Sequence, residues 1–165
     1  MVVKTMNMQQ HKSAGFTLIE MMIALLVLSI GLLGVAALQT TGQQFNYRAY
    51  IRTQATFLAY DLMDRIRTNP LEASQGNYGV GSNIVESTTD CAKNACTTTQ
   101  LKNYDISEWG KSVGVITVTG QLSILPSPEA NIAYDAATST YTVTLRWQEE
   151  RNSTTKVEQQ WIMVL

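Results

Sequence analysis

Histidine is almost missing from this sequence, and cysteine, proline and charge are scarce. The single histidine, His11, stands near the N-terminus. If the first residues are removed, the chain keeps no imidazole to serve as base, nucleophile orienter or metal ligand. Two cysteines, Cys91 and Cys96, have four residues between them in CAKNAC. That spacing does not fit a CxxC redox pair, and no histidine lies near to activate a thiolate. No phosphate-cradling glycine loop, HExxH or EF-hand spacing occurs, and there is no internal repeat. Asp61 and Asp64 are accompanied by Arg65 and Arg67, which most simply neutralise them, and Glu149, Glu150 and Arg151 read as a solvated turn. These absences argue against an enzyme and call for no cofactor and no metal. With 12 basic and 13 acidic residues, the chain has no basic excess for nucleic acid.

Charged residues make up only 15% of the 165, against roughly 25% in ordinary soluble domains. The deficit is concentrated. From Met21 to Leu38, 18 consecutive residues carry no charge, the length at which a buried core helix gives way to a membrane span. A leader holding Lys4, His11 and Lys12 but no acid precedes this run. The two lysines place the N-terminus in the cytoplasm and the remainder across the membrane. A conventional signal peptide cleaved around Gly34–Ala37 is the alternative, but the helical pattern continues past that point.

Apolar residues then recur at Ile51, Ala55, Leu58, Leu62 and Ile66, spaced three and four apart, which predicts one buried helical stripe. Asp61 and Arg65 form an i,i+4 pair in the favourable order, and Pro70 ends the helix. An unbroken helix over 16–69 measures about 80 Å at ~1.5 Å per residue. Gly31, Gly34 and Gly42 fit close membrane packing, with local unwinding as the sharper reading. Residues 71–97 read as a loop with a short strand at 83–86. A helix follows around Leu101, Tyr104 and Trp109, capped by Thr98 or Thr99 and ended by Gly110 or Gly114. The last fifty residues are β, with strands at 115–125, at TYTVTLRWQ and at KVEQQWIMVL around an EERN turn. Tyr141, Val143, Leu145 and Trp147 face one way, as do Val157, Trp161, Met163 and Leu165. This meander of three or four antiparallel strands buries its apolar face on the Ile51–Ile66 stripe. Trp147 and Trp161 belong to the core, and the place of Trp109 is left open. An even cysteine count in an exported head points to a Cys91–Cys96 disulfide.

One stretch is more specific than any of these patterns. A short basic leader ends in Gly15, and Phe16-Thr17-Leu18-Ile19-Glu20 opens the apolar run. This resembles the class III signal of type IV pilins and type II secretion pseudopilins. The resemblance implies an α+β pilin-like fold: a long N-terminal helix, its first half membrane-spanning, packed on a small antiparallel sheet. It implies a leader at 1–15, a transmembrane half at 16–38, an amphipathic half at 39–69 and a periplasmic head at 70–165. It implies cleavage by a prepilin peptidase after Gly15 and N-methylation of Phe16. Glu20, a carboxylate costly to leave unpaired among apolar groups, would pair with the amine of Phe16 or of a neighbouring subunit; snorkelling to the headgroups is the plainer alternative. Within the family, LLVLSIGLLGVAALQ, DLMDRIRTNP, YDISEW and TLRWQ resemble a minor pilin. Major pilins commonly carry a proline in the first helix where Val35, Ala36 and Ala37 stand here, and they typically close a larger C-terminal loop by disulfide. The implied partners are other minor pilins, the major pilin and an inner-membrane assembly platform, in a tip complex that primes the fibre and supports twitching motility and adhesion. A secretion pseudopilin and a membrane-anchored periplasmic binding module are the competing readings.

Overall fold

The computed structural model describes residues 15–120, 123–149 and 154–165. It divides into two compact units, Met1–Gln44 and Phe45–Leu165. The elements in order are α1 (Leu18–Thr68), α2 (Pro70–Ser74), α3 (Thr98–Val113), β1 (Glu129–Asp135), β2 (Thr140–Gln148) and β3 (Lys156–Val164).

In the first unit every described residue from Gly15 to Thr41 is exposed. The apolar part of α1 is long and apolar enough to cross a membrane. Its hydroxyls do not oppose that. Ser29 Oγ donates to the Leu25 carbonyl at 2.7 Å, and Thr40 and Thr41 donate to the Ala36 and Ala37 carbonyls at 3.1 Å. Each of these three hydroxyls is satisfied within the helix, as an apolar solvent requires.

In the second unit the remainder of α1 supplies one wall of the core. Ile51, Ala55, Leu58, Leu62 and Ile66 are all buried, as their spacing predicts, and Ala59 and Met63 widen the stripe. The opposite wall is an antiparallel sheet of order β1-β2-β3. Tyr141, Val143, Leu145 and Trp147 of β2 are fully buried in the same cluster as the α1 stripe. On β3, Met163 is buried and Val157 and Trp161 pack partly against the cluster, but Leu165 is 47% exposed, contrary to expectation. Thr140 pairs with Val164, so Leu165 lies just past the ladder, and its N–H reaches the Ser139 carbonyl at 3.1 Å.

Three local expectations are corrected. Residues 71–74, read as the start of a loop, belong with Pro70 to the short helix α2, because Pro70 at its start needs no N–H partner there. Residues 83–86 form no strand; the nearest pairing is an isolated bridge between Gly81 and Ile132. The 115–125 strand is absent among its described residues (121–122 lie outside them), and the sheet begins instead at Glu129. Ser123 Oγ bonds the carbonyls of Val113 and Leu125, which folds this stretch back on the end of α3. The EERN turn falls largely on 150–153, outside the described residues. Its first residue, Glu149, is not simply solvated: it accepts from Arg52 Nε at 2.6 Å and from Arg52 Nη2 at 3.2 Å.

α3 is capped by Thr97 rather than Thr98 or Thr99. Thr97 and Gln100 satisfy each other's backbone N–H groups in a capping box. Gly114 ends the helix at φ 95°, a left-handed conformation that glycine adopts without cost. Trp109 is fully buried on α3 and its Nε1 donates to the Leu58 carbonyl at 2.7 Å. Cys91 and Cys96 are joined by a disulfide, their Cα atoms 5.6 Å apart.

Candidate assembly site at the head of α1

Gly15, Phe16 and Thr17 precede the first turn of α1. Thr17 is the hinge of the site. Its Oγ1 accepts from the Glu20 N–H at 3.3 Å, and its carbonyl accepts from the N–H groups of Glu20 and Met21 at 3.2 and 3.3 Å. It therefore satisfies donors that a helix start otherwise leaves open. This residue was missed by the reading of the motif as a cleavage signal alone. The signal that finds it is the T-x-x-E spacing, which is a helix-start pattern in its own right.

Glu20 sits in that first turn, where the helix dipole favours a negative charge. Among the described residues no group pairs with its carboxylate. Phe16 is 80% exposed, one turn before it. Thus the structure brings Gly15, Phe16 and Glu20 together at one helix end. It offers an acid without a partner beside the position where a peptidase cut would create an ammonium group.

A second polar cluster joins the end of α1 to α3; of its contacts the sequence predicts only the Asp61–Arg65 pair. Tyr78 Oη donates to Asp105 Oδ2 at 2.8 Å, and Asn69 Nδ2 donates to Tyr78 Oη at 3.2 Å and to the Thr98 carbonyl at 2.8 Å. Arg65 reaches Asp105 Oδ1 at 3.4 Å and Asp61 Oδ2 at 3.0 Å. Burial pushes the Asp105 carboxyl above its ordinary range, against the opposing pull of Tyr78 and Arg65, and burial with the Asp105 bond pushes the Tyr78 phenol up. Every member has a partner, so the cluster is a clasp. Among the described residues, no group of three or more His, Cys, Asp and Glu side chains is placed to hold a metal.

Two family models match consecutive stretches of the chain. The prokaryotic N-terminal methylation motif covers residues 10–36, and type IV pilin Tt1218 covers residues 37–107. The chain is a type IV pilin-like protein. No curated protein and no solved structure matches it significantly. In this type IV pilin-like chain, the methylation-motif match takes in Glu20 and most of the uncharged run after it. The second match ends inside α3, so the sheet that completes the α+β fold lies beyond it. The signal implies a prepilin peptidase and assembly with other pilins on a membrane platform.

Proposed function

We propose that this protein is a minor type IV pilin, a structural subunit rather than an enzyme. The observation that carries the reading is the unpartnered carboxylate of Glu20, one helical turn past Phe16, at the start of a 51-residue helix whose opening matches the methylation motif. Residues 1–15 are the leader; 16–38 cross the inner membrane with the N-terminus cytoplasmic; 39–69 continue the helix; 70–165 complete a periplasmic head. The peptidase cuts after Gly15 and methylates the Phe16 amine. Glu20 then meets that amine, or a neighbour's, and sets the register at which a subunit docks. The subunit joins other minor pilins and the major pilin in a tip complex that primes the fibre and supports twitching motility and adhesion.

The resemblance of DLMDRIRTNP, YDISEW and TLRWQ to the type IV pilus modification protein PilV supports the minor role. So does the absence of proline at 35–37. Deleting the gene should abolish or sharply reduce surface pili while leaving protein secretion intact. Normal pili with failed secretion would sink the proposal in favour of a secretion pseudopilin, which uses the same signal.

A further inference from the structure

The outer face of the sheet, away from the core, has a polar floor. β1, β2 and β3 set Asn131, Thr144 and Gln160 side by side in register. They line a half-open cavity of about 790 Å³ together with Thr142 and, on its wall, Ile84, Val115 and Pro128. That volume is within the roughly 300–1,000 Å³ of small-ligand pockets.

Thr144 is the decisive residue. It is only 9% exposed, and its hydroxyl has no hydrogen-bond partner among the described residues. The hydroxyl itself is not sealed inside the protein: it opens on the cavity, where a ligand can reach it. Its neighbours retain capacity too. Asn131 uses its amide N–H toward Ser82 Oγ at 3.1 Å, and Gln160 uses its own toward Glu158, which leaves both amide oxygens free to accept. The Thr142 hydroxyl is likewise without a partner among the described residues. Strands lie ~4.8 Å apart, so the three-residue row spans roughly 10 Å.

Charge decides what the row takes. The ions at one end of the cavity are already matched: Arg146 with Glu158 and Glu129, and Lys156 with Glu129. Among the described residues that line the cavity, no cation is left over for an anionic ligand and no carboxylate for a cationic one. What remains is a line of neutral groups that both donate and accept, beside an aliphatic wall. A polyhydroxylated ligand matches both, with hydroxyls on the floor and ring C–H groups on the wall. We infer that this cavity is a binding site for a neutral saccharide segment of two or three rings, held by Thr144, Asn131 and Gln160.

The test is saturation-transfer NMR on the full chain in a zwitterionic, sugar-free detergent. The probes are maltotriose, chitotriose and globotriose, with trigalacturonate as the acidic counterpart. At least one neutral trisaccharide should show saturable transfer, and trigalacturonate should bind at least tenfold more weakly. Thr144→Val keeps the side-chain shape and should weaken binding at least tenfold. Gln160→Ala, at an exposed position that the core does not use, should weaken it severalfold with an unchanged far-UV spectrum. Transfer from none of the three neutral probes would overturn the inference. So would preferential binding of trigalacturonate, or binding that neither substitution alters. Each of these outcomes leaves the pilin reading untouched, because that reading rests on the other end of the chain.

Discussion

Ser107 shows how a single buried atom can be read. It is fully buried on α3, and its Oγ has no partner among the described residues. An orphaned hydroxyl costs ~1–3 kcal/mol, and alanine is the better helix former. Ser107→Ala should therefore raise unfolding stability by about 1 kcal/mol, measured by denaturant titration. Tyr78→Phe does the reverse. It leaves Asn69 and Asp105 each short of a bond, and should cost about 1–3 kcal/mol in the same assay. Asp105 also predicts a pH dependence. Its carboxyl is raised above 3.8 by burial, so ionisation opposes folding. The penalty is absent below 3.8 and appears as pH rises through the raised value. Relative to Asp105→Asn, the parent should lose stability as pH rises across that window; a parallel pair of curves would contradict the assignment. Residues of this kind were illegible in the sequence. Tyr78, Asn69 and Asp105 are 9 and 27 positions apart, and no local pattern announces that a loop will bring them together.

Elements were more legible where periodicity is long. The α1 stripe and the alternation of β2 follow directly from burial of one face, and both stand in the structure. The first strand did not. VITVTGQLSIL has the β-branched composition of a strand, whereas EANIAYD is a weaker candidate, yet only the latter pairs. Composition states what a segment tolerates, and pairing depends on which neighbour has a free edge. β1 finds the edge of β2, while Ser123 ties the other segment to the end of α3. The ionic ladder across the sheet gives a prediction at this scale. Lys156 holds the Glu129 carboxyl below its ordinary 4.5, and Arg146 holds that of Glu158 below the same value. Groups held low add stability that is whole above pH 4.5 and drains as pH falls through the lowered values. Glu158→Gln should make the melting temperature less sensitive to pH between 4.5 and 3, and added salt should shrink the difference between the two proteins because the pair is exposed.

At the scale of the whole molecule, the two units answer to different solvents. Among the described residues, the first buries none from Gly15 to Thr41 and exposes its apolar helix, while the second is closed by twenty buried hydrophobic residues and one disulfide. The bridge spans only five positions, so its loss should cost no more than about 2 kcal/mol. A Cys91→Ser, Cys96→Ser double variant should retain its near-UV spectrum and melt at a modestly lower temperature. The methylation motif was legible for the opposite reason to the core: GFTLIE is one contiguous stretch, and the proposed cleavage, methylation and pairing would all be specified within it. The saccharide cavity, assembled from three strands, was not. The account's central claim is that proteolysis places an ammonium beside Glu20. Mass spectrometry of the protein recovered from cells tests it most directly. The account predicts an N-terminus beginning with N-methylated Phe16; an intact Met1, or a chain beginning beyond Ala37, would contradict it.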